Sequence, residues 1–242
     1  MDESIRTYAT CVPVAIALAA GFQSAPVSAR PAARSVAVAP GAAVSGRAQV
    51  VDGDTLDIAG VRVRLEGIDA PETGQHCKRR LLGTWDCGGA ATRALTKMVE
   101  GETVTCASRG QDKYGRMLGV CYAKGAEINA RLVREGHAWA FFKYSKAYVA
   151  DEAVARSNHL GVFSVDGNMP PWDYRAGAWR TAEQVAPEGC AIKGNVSRKG
   201  RIYHMPWSPW YQRVGIDAAR GERWFCTEAE AIAAGWRPVE GS

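Results

Sequence analysis

The chain has 242 residues, 47% of them hydrophobic, enough to bury one sizeable core and a small second one. Its formal charge of +5 favours polyanions, but does not separate nucleic acid from acidic polysaccharide or a membrane surface. Near the N-terminus the apolar run Val12 to Phe22 is too short to cross a bilayer as a helix. Followed by the small residues Val27-Ser28-Ala29 before Arg30, that run reads as an export signal over residues 1–29. Residues 30–45, rich in Ala, Pro, Ser and Val, are expected to form a disordered spacer. The expected location is the periplasm or the extracellular space.

Gly46 to Val51 and Thr55 to Ile58 read as strands, with Asp52-Gly53 as the turn between them. Val61 to Leu65 alternates, sending Val61, Val63 and Leu65 inward and Arg62 and Arg64 outward. A helix is expected over Ala90 to Val99, stopped by Gly101. Thr103 to Cys106 and Met117 to Tyr122 are the next strands. Two helices follow, one carrying Ile128, Leu132 and Val133 up to Gly136, the other from Tyr148 to His159. Five short strands with about three helices fit a Greek-key barrel of the OB type, spanning residues 46–180. Thr181 to Gly189 reads as a linker. Residues 190–242 form a separate small unit with turns at Gly194-Asn195 and Lys199-Gly200 and a helical stretch from Thr227 to Ala234.

Setting aside Cys11 in the leader, Cys77, Cys87, Cys106, Cys121, Cys190 and Cys226 remain, and six thiols permit 15 connectivities. Cys106 and Cys121 could face each other across a hairpin. Cys77 and Cys87 bracket one loop, and Cys190 and Cys226 bracket the C-terminal segment. The alternative is six reduced, buried thiols. No CxxC pair occurs, which disfavours zinc.

Four phrases carry chemistry: Asp52-Gly53-Asp54-Thr55, Arg64 to Thr73, Asp112-Lys113-Tyr114-Gly115-Arg116, and Asn129 to Gly136. Asp54 lies just past a turn and Asp69 just past a strand, so a barrel can bring both carboxylates to one hard cation, with the Ala70 carbonyl as a third oxygen ligand. Glu72, stiffened by Pro71, could deprotonate an attacking water. Arg64 and Arg116 offer planar guanidinium groups that match phosphate oxygens. Taken singly, each acid would be an ordinary turn residue and each arginine a solvated one.

Together and in this order, these phrases resemble the staphylococcal nuclease family over about Arg47 to Phe163. The resemblance implies Ca²⁺ bound by Asp54, Asp69 and the Ala70 carbonyl, and catalysis by Arg64, Glu72 and Arg116. It implies nucleotide binding by Tyr114 with Lys113. The activity implied is endonucleolytic hydrolysis of single-stranded or locally melted DNA and RNA, leaving 3′-phosphates. Gln75 to Gly89, with its two cysteines, departs from the founder's mobile lysine-rich loop. Phe141-Phe142-Lys143-Tyr144 replaces a tyrosine-rich stretch, and its phenylalanines could be core or base-stacking residues. No histidine falls in a motif.

With Gly194-Asn195-Val196, Ile202 to Pro206, Gly221 to Cys226 and Glu228 to Arg237, the C-terminal unit resembles a small appended module called a sunset domain. Trp207, Trp210, Tyr211, Trp224 and Phe225 are expected to form its core, stapled by one disulfide. The alternatives are an exposed platform for a sugar or base, with contact to glycan or the cell envelope, and a zinc site using His204 with Cys190 and Cys226. The expected assembly is a monomer. The competing reading of the whole chain is a non-catalytic OB module that binds polyanions such as acidic exopolysaccharide.

Overall fold

The computed structural model describes residues 39–239, so the expected leader lies outside the described residues. Strand β1 (Ala43–Val50) turns through Asp52 and Gly53 into β2 (Thr55–Ile58), which pairs with β3 (Val61–Leu65). The alternation in β3 holds: Val61, Val63 and Leu65 are buried and Arg62 and Arg64 face outward. Two residues form β4 (Ile68–Asp69), and a small hairpin follows from β5 (His76–Lys78) and β6 (Thr84–Asp86).

Helix α1 (Cys87–Val99) starts three residues before the expected Ala90, because Asp86 caps it by accepting the Gly89 N–H at 2.8 Å. Strands β7 (Thr103–Gln111) and β8 (Met117–Ala123) are both longer than expected. A two-residue β9 (Ala126–Glu127) leads into helix α2 (Ile128–Arg134), and β10 (Trp139–Ala140) pairs with β4. Helix α3 (Val149–Ser157) occupies most of its expected span.

The large sheet runs β3-β2-β1-β7-β8-β9, and the parallel pairing of β3 with β8 closes it into the expected five-stranded barrel. Leu56, Ile58, Val63 and Leu65 fill it together with Leu95 of α1 and Leu132 of α2. The side chain of Asn129 crosses this core as a polar tie. Its Oδ1 accepts the Cys121 N–H at 3.1 Å, and its Nδ2 donates to the Glu66 and Gly119 carbonyls, each at 3.0 Å. Three disulfides form: Cys77–Cys87, Cys106–Cys121 and Cys190–Cys226. Cys106 and Cys121 stand directly opposite in the β7–β8 register.

Beyond the barrel, helix α4 (Pro171–Glu183) was not expected from the sequence. Its last turn takes up the start of the supposed linker, and a short 3₁₀ turn at Pro187–Gly189 ends it. The C-terminal sheet is ordered β13 (Arg223–Phe225), β11 (Ile192–Ser197), β12 (Gly200–His204) and β14 (Arg237–Pro238). Helix α5 (Glu228–Ala233) begins at the Thr227 cap, whose hydroxyl accepts the Glu230 N–H at 3.1 Å.

Three expectations need correction. The spacer expected over 30–45 reaches too far: residues 43–45 already pair with β7, because Val44 packs against the barrel core, and residues 30–38 lie outside the described residues. Gly194-Asn195 is not a turn but the middle of β11. A Cβ at Gly194 would lie 2.5 Å from Phe225 and 3.0 Å from Trp236, so glycine serves close packing there. The small core is Ile192, Tyr203, Met205, Phe225, Ala231 and Trp236, with Trp207 at its margin. Tyr211 packs separately with Ala182 and Ala191, and Trp210 is exposed. His204 bonds Asn195 at 3.0 Å while Cys190 and Cys226 are joined to each other, so these three do not form a metal site.

Candidate active site

The turn from β1 to β2 is closed by the Val51 N–H donating to the Thr55 carbonyl at 2.9 Å, and Asp52 Oδ1 accepts the Asp54 N–H at 3.1 Å. The Asp54 side chain is thereby aimed at the end of β4. There its Oδ2 accepts the Ala70 N–H at 3.1 Å. Arg64 reaches across from β3 and joins the two acids, donating from Nη1 to Asp54 Oδ1 at 2.9 Å and from Nη2 to Asp69 Oδ1 at 2.8 Å. Asp69 is fully buried and Asp54 nearly so. Burial works against the Arg64 charge, but Asp54 and Asp69 outweigh it and hold the guanidinium above its ordinary pKa.

Glu72 is held through its backbone. Its N–H donates to Gln75 Oε1 at 3.0 Å, and its carbonyl accepts the Gln75 N–H at 2.8 Å. The N-terminus of α1 presses on the same carbonyl so closely that a Cβ at Gly88 would overlap it. The Glu72 carboxyl bonds Arg175 of α4, and burial pushes it up to about 7 against the lowering pull of that arginine. Asp52 is likewise pushed up to about 6, first by burial and then by the Asp54 charge.

Arg116 is not brought into this cluster. Its Nε donates to Asp112 Oδ2 at 2.7 Å and its backbone N–H to Asp112 Oδ1 at 3.0 Å, closing the turn between β7 and β8. Lys113 Nζ lies 4.7 Å from the Tyr114 ring centroid, and Arg116 lies 5.5 Å from it on this turn. Burial raises the Tyr114 pKa, and Glu228 of α5 adds to the rise. Glu228 also accepts the Tyr203 hydroxyl at 2.5 Å, so the C-terminal segment borders the Tyr114 turn. Phe141 is half-buried and stacks on Trp172 of α4 at 5.3 Å, while Phe142 and Tyr144 are exposed.

Sequence reasoning missed Arg175. Its Nη1 donates to Asp69 Oδ1 at 3.1 Å and its Nη2 to Asp69 Oδ2 at 2.7 Å, in addition to its bond with Glu72. Pro171 at the first helical position and Asp173 in the first turn were the available signals for α4. They mark a helix start but not where the helix packs.

The side-chain donors that meet are all oxygen, the carboxylates of Asp54 and Asp69, with the Ala70 N–H on Asp54 beside them. One guanidinium spans both acids, so their convergence and hardness fit a Ca²⁺-like ion that takes water and backbone oxygens for its remaining positions. Among the described residues no group of three or more His, Cys, Asp or Glu side chains is arranged to hold a metal. Such an ion would compete with guanidinium for Asp69.

Residues 62–164 match the family model described as staphylococcal nuclease homologue, and residues 171–238 match one described as ArfC. The second match replaces the sunset likeness, and it begins at α4 rather than at Cys190. A succinoglycan biosynthesis protein, ExoI, of Rhizobium meliloti (strain 1021) is 36% identical over 123 residues, 50% of this chain and 64% of that protein. An uncharacterized endonuclease of Escherichia coli O157:H7 is 37% identical over 134 residues, 52% of this chain and 81% of that protein. A micrococcal nuclease of Shigella flexneri is 35% identical over 144 residues, 52% of this chain and 77% of that protein.

Proposed function

The chain belongs to the staphylococcal nuclease family, and we propose that it is an exported Ca²⁺-dependent endonuclease that hydrolyses phosphodiester bonds of DNA or RNA and leaves 3′-phosphates. The observation that carries this reading is the meeting of Asp54, Arg64 and Asp69 at one point, with Glu72 joined to Asp69 through Arg175. Mere binding of a polyanion does not call for buried carboxylates.

Asp54, Asp69 and the Ala70 carbonyl would hold Ca²⁺, which when bound supplies positive charge beside the scissile phosphate. Glu72 takes the proton of the attacking water, a task suited to a carboxyl held near neutrality by burial. Arg64 donates paired N–H bonds to the phosphoryl oxygens as charge builds on them. Arg116 joins it after turning away from Asp112. Tyr114 and Lys113 border the nucleotide.

Three disulfides support an oxidising, exported setting. Among the described residues no helix is long and apolar enough to cross a membrane. The domain reading is a nuclease barrel that begins with β1 at residue 43, followed by a C-terminal unit that takes in α4, acting as a monomer.

The test is release of acid-soluble nucleotides from single-stranded DNA and RNA by the oxidised protein, with Ca²⁺ and with excess chelator. Ca²⁺-dependent release of 3′-phosphate ends is the expected result. A folded sample that cleaves neither polymer with any divalent ion would leave the polyanion-binding reading in its place.

A further inference from the structure

Arg175 reaches the site from α4, 106 residues along the chain from Asp69, and takes up much of that carboxylate's capacity. Both Asp69 oxygens accept from it, and Oδ1 also accepts from Arg64. A third bond goes to Glu72. The cluster therefore holds three acids, Asp54, Asp69 and Glu72, neutralised in part by two guanidinium groups. A divalent ion on Asp69 would meet Arg175 at contact range, where like charges repel strongly in a water-poor site.

Helix α4 meets the barrel side at this end, whereas its far end packs Trp179 and Ala182 against the C-terminal clusters. Trp172 stacks on Phe141, and the Met169 carbonyl just before the helix accepts Gln75 Nε2 at 2.8 Å. Gln75 is the residue that also anchors the Glu72 backbone.

We propose that Arg175 is a built-in counter-cation that competes with the divalent ion for Asp69, so that ion binding expels its side chain and loosens the start of α4. This rests on the reading of Asp54 and Asp69 as cation ligands. Through it the C-terminal segment sets the cation affinity of the site, and the cation in turn sets how firmly that segment is held, as linkage requires.

Calorimetric titration of Ca²⁺ into the oxidised full chain, Arg175→Gln, Arg175→Lys and Asp54→Asn tests this, together with hydrogen exchange of the wild type. Arg175→Gln should bind Ca²⁺ at least tenfold more tightly than the wild type, and Arg175→Lys by a smaller factor. In the wild type, saturating Ca²⁺ should at least triple the exchange rate of amides 175–178. Equal or weaker Ca²⁺ binding by Arg175→Gln, with binding still lost in Asp54→Asn, overturns the competition alone. If the wild type binds no divalent ion, or Asp54→Asn binds as well as the wild type, the cation site and the competition fall together. Should Arg175→Gln fail to fold, unchanged exchange of the Ca²⁺-loaded wild type overturns the proposal by itself.

Discussion

Replacing Glu72 with Gln removes a base while leaving its surroundings in place. The loop is held by backbone bonds, the Glu72 N–H to Gln75 at 3.0 Å and the Gln75 N–H to the Glu72 carbonyl at 2.8 Å, and neither needs the carboxylate. Arg175 keeps both of its bonds to Asp69, and the glutamine carbonyl can still accept from it. A positioned general base contributes roughly 10²–10⁴ in rate, so turnover should fall by that factor, about 3–5 kcal/mol of barrier.

Stability should move the other way. Burial raises the Glu72 carboxyl in the folded protein above its unfolded value, to about 7. Its favourable contribution is present below the unfolded pKa and is lost as pH rises through about 7. At pH 8 the glutamine variant should therefore melt no lower than the wild type. Wild-type turnover should rise with pH as the base loses its proton, whereas residual turnover in the variant should lack that rise. Nucleotide release from single-stranded DNA measures turnover, and circular dichroism confirms the fold. Turnover within tenfold of the wild type in a folded variant would remove Glu72 from the role of base.

Gly194→Ala puts a methyl group 2.5 Å from Phe225, and should cost about 1–3 kcal/mol by overpacking; an unchanged melting temperature would contradict the close packing of β11. Asn129→Ala removes a bond from the buried Cys121 N–H and from the Glu66 carbonyl, while the Gly119 carbonyl keeps the Glu66 N–H, and should cost about 2–3 kcal/mol in urea unfolding. A cost under 1 kcal/mol would show that water replaces the amide. Asp52 is raised to about 6, so its favourable contribution is lost as pH climbs from about 4 through 6. Asp52→Asn should flatten that loss in urea midpoints measured across the range, and an unaltered slope would assign the pH dependence to other groups.

The barrel was legible because its signals are local. Alternation in Val61 to Leu65 gives the buried face without knowledge of the partner strand, and Asp52-Gly53 marks its turn by its own chemistry. The cysteine pairing was partly legible for the same reason, since Cys106 and Cys121 flank one hairpin. The same local logic failed at Gly194, where glycine marks a close approach of Phe225 and Trp236 rather than a turn. It also missed α4, whose start signals lay within the span assigned to the barrel and whose last turn runs into the supposed linker.

The sequence by itself determined which residue types the site would use: two acids near strand ends, a glutamate after proline and an arginine on an outward strand face. Only the tertiary structure decided that Arg175 would bond Asp69 and Glu72, whereas Arg116 bonds Asp112 four residues away within one turn. Periodicity and turn chemistry act between neighbours a few residues apart. The partner of a buried charge is chosen by how distant elements pack, and nothing in the local sequence around Asp69 or Arg175 encodes that meeting.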